Sequence, residues 1–246
     1  MSTDDRPKDG GTHDQEPARE RPAGAPSDRA RVRRLPARGR YDRPTVDAIL
    51  DEGLVCHVGF SAGSTTWVLP MAYGRDGDDL YLHGAKANHA LRSLAGGAEA
   101  CVTVTLVDGL VLAKAAFHHS MNYRSVVLFG RAHPVEVPAE QRHALGVVVD
   151  HVVPGRAVDA RPPTEQELRA TTLLRLRIDE ASAKVRTGGP VDDDEDRGLE
   201  VWSGVVPVAL RAGVPEPDAF AGTAAVPGYA TSYRRPGCFG TGGPDG

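Results

Sequence analysis

The run LVCHVGF–SAGSTT–WVLPMAY–GRDGDD–LYL, residues 54–82, constrains the fold more than any other stretch. Three β-forming segments follow one another with only short turns between them. Asp76-Gly77 has the chemistry of a hairpin turn. A parallel pair needs a crossover of a dozen or more residues, so strands joined this closely have to pair antiparallel. The spacing therefore predicts an antiparallel meander. It is followed by a helix-like run, Ala85–Leu94, with Lys86, Asn88 and His89 crowded into its first turn.

The rest of the chain extends this pattern. EACVTVTLV, Glu99–Val107, is a β-branched strand, and SVVLFGRAHPVEV, Ser125–Val137, reads as a long strand bent near Gly130 or Pro134. TLLRLRI, Thr172–Ile178, alternates apolar and basic residues as a half-exposed strand does, and SAKVRTGGP continues it into a loop. LEVWSGVVPVAL closes the set. Helices are expected at RPTVDAILDEG, where Val46, Ile49 and Leu50 share a face, and at PAEQRHALGVVVDHV, with Leu145, Val148, Val149 and Val152 on one side. TEQELRAT carries the Thr-x-x-Glu pattern of a capping box at Thr164–Glu167. About six mostly antiparallel strands with helices between them predict a mostly β domain, a barrel with helical insertions.

Composition sets the limits of that domain. Residues 1–40 are rich in Pro, Gly and charge and poor in large apolar side chains, and the chain from about Arg211 is rich in Gly, Ala and Pro. Both read as disordered tails, which places the packed domain at 41–210. RVRRLPARGR, Arg31–Arg40, is the one basic cluster and is expected to be solvated, with an acidic partner or nucleic acid as the alternative. The 29 basic and 33 acidic residues give a net charge of −4, which argues against a dedicated nucleic-acid binder. Cys56, Cys101 and Cys238 are widely spaced and form no CxxC pair, so a reducing compartment without structural disulfides is expected. No apolar run has the length of a membrane helix and the N-terminus has no apolar leader segment, so the expected location is the cytoplasm.

Three constellations could carry chemistry. The first is Lys86, Asn88 and His89 at the start of the helix that follows Leu80–Leu82. Cations are favoured at helix C-termini, so their presence here suggests an anion such as phosphate, or else ordinary polar residues on a solvated helix. The second is FHHSMNYRSVVLFG, Phe117–Gly130. His118 and His119 are adjacent on an extended chain and point to opposite faces, and no carboxylate or Cys lies near them at zinc spacing, so no metal site is expected. Aromatic and polar residues at a strand mouth suit a cofactor pocket or the usual polar strand end. The third is KVRTGGPVDDDEDRGLEVWSGVVPV. Lys184 and Arg186 fall on one side of a strand, Asp192–Asp196 reads as a solvated loop, and Trp202 lies beside Gly204. No nucleophile elbow, P-loop or dinucleotide fingerprint is present. His57, His133, His143 and His151 are isolated and read as structural or exposed.

In order, YLHGAKANHALRSL, ACVTVTLVD, SMNYRSVVLFGRAHPVE, KVRTGGP and VWSGVVPV resemble the pyridoxamine 5′-phosphate oxidase-like flavin-binding proteins, in the branch with nitroimidazole-reductase-type and flavin-nucleotide-binding members. The resemblance covers about residues 40–210. It implies a split β-barrel and a homodimer with FMN in the groove between subunits. It also implies that His83, Lys86, Asn88 and His89 meet the phosphate, that Val68, Leu69, Pro70 and Met71 run beside the isoalloxazine, and that Tyr123, Arg124 and Ser125 lie near the phosphate or ring. Trp202 would approach the flavin, from its own chain or from the partner subunit. The family's basic-aromatic C-terminal segment has no counterpart, so pyridoxamine phosphate is not the expected substrate. The implied activity is an oxidoreductase passing hydride or electrons from reduced flavin to a small acceptor, with NAD(P)H as donor and His83 or His119 as the acid or base if one is needed. The alternative is a binding or sensing module without turnover that holds flavin, a deazaflavin or haem, the last ligated by His83, His118 or His119.

Overall fold

The computed structural model describes residues 24–235. The expected meander is present. Strand β2 (Val55–Ala62) turns at Gly63, which has φ 61°, into β3 (Thr65–Asp76), and β3 turns at Gly77, with φ 54°, into β4 (Asp79–Ala85). Both turns need the left-handed backbone region that glycine enters without a Cβ clash. With β5 (Glu99–Leu112), β6 (Ser120–Pro134), β7 (Thr171–Arg177), β8 (Glu180–Arg186) and β9 (Gly204–Pro207), and with β1 (Gly39–Arg40), they form one sheet in the order β1-β8-β6-β7-β4-β3-β2-β5-β9. An added β5–β6 pairing closes the ring β2-β3-β4-β7-β6-β5, and every pairing is antiparallel.

The ring is split because two of its strands change partners along their length. Strand β3 pairs with β2 over Thr65–Ala72 and with β4 only over Tyr73–Asp76. Strand β6 pairs with β8 over Tyr123–Phe129 and with β7 over Ala132–Pro134. Inward residues such as Val58, Val102, Leu128, Leu174 and Ala183 form the core, and the alternate residues face out. Helix α1 (Arg43–Glu52) contributes Val46, Ile49 and Leu50 to that core, and α2 (His89–Ala95) contributes Ala90, Leu91 and Leu94. Helix α3 (Pro138–Val152) packs Ala144 and Val148 with Tyr81, Val135 and Leu173 in a second cluster.

Local signals explain the helix ends. Asp42 accepts a hydrogen bond from the Thr45 N–H at 2.9 Å and starts α1. Both halves of the capping box at Thr164–Glu167 are made, opening the short α5 (Glu165–Ala170); between α3 and α5 lies the single-turn α4 (Arg156–Asp159).

Four expectations change. Strand β5 does not stop at Val107 but runs on to Leu112, through a bulge at Asp108-Gly109 where the register with β6 shifts. Strand β6 starts at Ser120 rather than Ser125, because β5 continues long enough to pair with it. SAKVRTGGP is a separate strand, β8, returning after β7 rather than extending it. The helix expected from Ala85 begins at His89, because Ala85 still pairs with Thr171 and the Asn88 side chain caps the Leu91 N–H at 3.2 Å. Lys86 therefore lies in the turn before the helix, not in its first turn.

The stretches read as tails fall partly outside the described residues, at 1–23 and 236–246. Of the parts inside, Ala30 is buried, β1 pairs with β8, and Arg29 bridges Glu99 at 2.8 Å and Glu180 at 2.5 Å. At the other end, the chain forms the one-turn α6 (Gly228–Thr231) and then buries Arg235. Its guanidinium donates to the carbonyls of Glu52 at 2.9 Å, Asp51 at 2.5 Å, Gly53 at 3.0 Å, and also His151. These acceptors include carbonyls at the C-termini of α1 and α3, which have no partner within their own helices. No helix among the described residues is long and apolar enough to cross a membrane.

Candidate functional site

The split leaves one strand edge open. Over Thr65–Ala72, β3 pairs with β2 on one side, while its pairing with β4 begins only at Tyr73. Backbone donors and acceptors on the other side are thus available to a ligand. Val68, Leu69, Pro70 and Met71 line this edge, with Val68 at 62% exposure and Pro70 also exposed. Across the gap is the start of α2. The Trp67 and His89 rings meet edge-to-face with centroids 5.4 Å apart, and Phe60 lies 6.3 Å from His89. Lys86 and His89 are exposed here. Trp67 is not among the residues expected here from sequence, although its neighbours Val68–Met71 are; an aromatic residue at the head of the same β-forming segment was the available signal.

Two residues assigned to this corner have further roles in the fold. The Asn88 carboxamide oxygen accepts the helix cap from the Leu91 N–H, which leaves the Nδ2–H groups as the donors it could offer an anion. His83 is half-buried on β4 with its Nδ1 fully shielded and without a hydrogen-bond partner. Burial pushes its imidazole below the usual range. From its residue type His83 is expected to titrate near neutrality, but desolvation disfavours its cationic form and keeps it neutral there.

Tyr123, Arg124 and Ser125 do not converge on the same corner within one chain. Strand β6 is separated from β3 by β2 and β5, about 14 Å around the ring at ordinary strand spacing. Tyr123 and Ser125 face outward beside Arg186 and Lys184 of β8. Arg124 points the other way. Its guanidinium meets Glu52 at 2.5 and 2.9 Å and Asp108 at 2.7 and 3.0 Å, and the two carboxylates hold its pKa well above the usual arginine value. A cation already shared by two carboxylates is poorly placed to take a phosphate.

A third group lies at the end of the barrel formed by β5, β6 and β9. Trp202 is 66% exposed and its ring stacks over Gly204, where an added Cβ would come within 2.8 Å of the indole. His119 is exposed, and its Nδ1 lies 3.1 Å from the Ala115 carbonyl. A carbonyl only accepts, so Nδ1 carries the proton and Nε2 is left as the acceptor or ligand atom. His118 instead directs Nε2 to Asp193 at 3.1 Å. His118, Asp193 and Asp196 bring their ligand atoms within 4.8 Å of one another, an exposed arrangement that such acidic loops often show without an ion. Of the described cysteines, Cys56 and Cys101 are both free thiols; burial pushes the Cys56 thiol up to about 12.

Comparison with known proteins gives one family. The family described as pyridoxamine 5′-phosphate oxidase matches residues 42–185. A flavocytochrome from Azotobacter vinelandii is 39% identical, with a TM-score of 0.80 over 86% of this chain and 99% of that one. An FAD and haem binding protein from Mycobacterium smegmatis is 36% identical, with a TM-score of 0.72 over 77% of this chain and 94% of that one. At 24% identity and a TM-score of 0.51 over 60% of this chain and 86% of that one, a candidate 5-nitroimidazole antibiotic resistance protein from Bacteroides thetaiotaomicron shares the fold. No curated protein matches the sequence.

Proposed function

Because the chain belongs to the pyridoxamine 5′-phosphate oxidase family, we propose that it is a flavin-binding protein whose barrel recognises the FMN moiety, either of FMN itself or of FAD. The observation that carries this reading is the open β3 edge at Val68–Met71 facing Lys86 and His89 across the split. The residues fit such a group. Unpaired backbone groups suit the hydrogen-bonding edge of a flavin ring, exposed Val68 and Trp67 offer it apolar surface, and the two basic side chains suit its phosphate. FMN is the cofactor the sequence suggests; the description of the relative from M. smegmatis favours FAD.

When bound, the flavin supplies hydride or single-electron chemistry. This chain positions it, excludes water, and presents NAD(P)H and a small acceptor to it. His83, neutral in its desolvated setting, serves as a proton acceptor rather than a standing cation. A homodimer completes the groove in this reading. The exposed apolar residues Val107, Leu110, Met121 and Val206 on β5, β6 and β9 suit the contact of a second copy, which would bring Tyr123, Ser125 and Trp202 toward the partner's split. The test is to measure the absorbance of the purified protein, identify its extracted flavin by chromatography, and titrate the stripped protein with FMN and FAD. Protein that is colourless and takes up neither removes the reading. NAD(P)H oxidation with a panel of acceptors then separates an oxidoreductase from a binding module.

A second reading adds haem. It is favoured by the descriptions of the two most similar structures reported above and by His119, whose Nδ1–H is held by a backbone carbonyl. Metal-binding imidazoles show that arrangement, with the other nitrogen left for the iron. A Soret band that is present in the wild type and lost in His119→Ala supports it. A haem-loaded protein indifferent to that change refutes His119 as the ligand.

A further inference from the structure

Arg235 is 6% exposed, and no carboxylate pairs with it among the described residues. Its Nε donates to the Glu52 carbonyl at 2.9 Å, its Nη2 to the carbonyls of Asp51 at 2.5 Å and Gly53 at 3.0 Å, and its Nη1 to that of His151. These oxygens lie where α1 and α3 end, and the partial negative charge of two helix C-termini takes the place of a counter-ion. The notch between the two helices thus suits one cation. His151 shares one of its oxygens. The imidazole Nε2 lies 2.7 Å from the Gly53 carbonyl and 3.4 Å from Arg235 Nη2. A carbonyl only accepts, so Nε2 carries a proton, and two N–H groups converge on a single oxygen. The ring is neutral there only while Nδ1 stays bare. A second proton would set a full positive charge directly beside the guanidinium.

The groups around His151 do not offset such a charge. From α1, Asp51 is already bound through both oxygens by Arg75 at 2.6 Å. From β3, Arg75 itself adds a cation, and the Tyr73 ring lies 4.5 Å from the imidazole. Burial pushes the Tyr73 hydroxyl up, so it stays neutral, and it donates to the Leu50 carbonyl. On α3, Asp150 accepts the Ala157 N–H at 2.7 Å. His143 and Asp76 answer each other at 2.8 Å, and Arg142 is held by Glu165. Burial first, and then Arg235 and Arg75, push the His151 pKa below the usual histidine value, against a smaller upward push from the Gly53 carbonyl and Asp51. His151 is half-buried and lines a cavity of about 510 Å³, so solvent protons reach it.

We propose that residues 227–235 are a latch that protons release: Arg235 and neutral His151 share the notch between α1 and α3, and protonation of His151 frees the chain that follows β9. That chain is tethered only at its ends. The Val208 N–H donates to the Asp108 carbonyl at 3.1 Å, and from there to Pro227 the hydrogen bonds of the described residues all run within the segment. Attachment resumes after Pro227. The Tyr229 hydroxyl meets Asp159 at 2.7 Å on the surface, the Tyr233 hydroxyl donates to the Val152 carbonyl at 2.7 Å, and Arg235 enters the notch. Of these three side chains only Arg235 is buried, so it decides how firmly the latch holds. The latched state disfavours the imidazolium and the open state does not. The latch is therefore closed above the ordinary histidine pKa of about 6.5 and is weakened as pH falls through it. None of this depends on where, or whether, a flavin binds.

Hydrogen exchange of the full chain tests this. The N–H groups of Ala230, Thr231 and Ser232 are bonded within α6, a single turn too short to persist once detached, so their exchange reports opening of the latch. Exchange is followed from about pH 7.5 to about pH 5.5 and corrected for its intrinsic pH dependence, with core amides of β2 and β5 as the measure of global unfolding. Opening is expected to grow by up to about tenfold per pH unit below about pH 6.5, ahead of the core amides. His151→Gln keeps a donor for the Gly53 carbonyl but cannot take the charge, so its opening should stay flat. Flat opening in wild type, opening no faster than that of the core, or a pH dependence that survives in His151→Gln overturns the proposal. NMR titration of the His151 ring keeps the test open if His151→Gln does not fold. Arg235→Gln removes the neighbouring charge and should raise the pH at which the ring titrates, and an unmoved midpoint overturns the coupling.

Discussion

Replacing Arg124 by Met separates a structural cation from a cofactor ligand. The sequence places Arg124 beside Tyr123 and Ser125, where the family resemblance implies a phosphate or ring contact. In the fold it points the other way and holds Glu52, at the end of α1, together with Asp108, at the β5 bulge, through four contacts of 2.5–3.0 Å. Exposed ion pairs contribute up to about 1 kcal/mol, whereas breaking a fully buried pair costs about 3–5 kcal/mol. The Glu52 side chain is 7% exposed, but those of Arg124 and Asp108 are 26% and 31% exposed, which puts this cluster between those limits. We expect Arg124→Met to lose about 2–3 kcal/mol, or about 5–10 °C in melting temperature for a domain of this size. Adding Glu52→Gln should return part of that loss, about 1 kcal/mol, because the two residues are directly coupled. Urea unfolding followed by tryptophan fluorescence measures the stability, and flavin titration of the same variant measures the affinity. A variant as stable as wild type whose flavin affinity has fallen tenfold would refute the structural assignment and restore Arg124 to the binding site.

Other outcomes follow from the same structure. Lys86→Glu places a like charge beside the proposed phosphate and removes a charged hydrogen bond of about 1.5–3 kcal/mol, so flavin affinity should fall at least tenfold. Since Lys86 is exposed, urea unfolding should not change, and an unaltered dissociation constant would move the phosphate elsewhere. His83 and His151 both have pKa values lowered by burial, so the unfolded chain binds more protons below its ordinary histidine pKa of about 6.5. Their contribution is fully present above that pH and is lost as pH falls through it. Stability measured from pH 7 to pH 5 should fall less steeply in His83→Gln than in wild type, and identical slopes would count against the burial argument. Gly74→Ala would put a Cβ within 2.8 Å of Val148 Cα and 2.9 Å of its nitrogen, where β3 passes under α3. Helix backbone cannot swing aside as a side chain can, so about 1–3 kcal/mol of destabilisation is expected in thermal melts.

What could be read in advance was whatever a few neighbouring residues decide. Asp76-Gly77 and Gly63 fix their hairpins through local backbone geometry, and Thr164–Glu167 fixes its cap, so the meander and that helix start are legible. The family motifs do the same for the split barrel. The misreadings fall where a distant partner overrides a local signal. Asp108-Gly109 has turn chemistry, but β6 pairs on both sides of it and converts it to a bulge, with the Asp108 side chain drawn to Arg124. The arginines before β1 are read as a solvated run, and Arg31, Arg33, Arg34 and Arg40 are exposed, but the stretch taken for a tail is anchored just ahead of them, where Arg29 finds Glu180, 151 residues away. The candidate site divides along the same line. The family motifs imply Val68–Met71, Lys86 and His89 for one corner, and the open β3 edge does lie by the start of α2, with Trp67 against His89. That Arg124 is not free for a ligand depends on Glu52 and Asp108, which come from α1 and the β5 bulge. The residues of a site can therefore be read along a segment, while which of them stay free for a ligand is decided by the elements packed beside them.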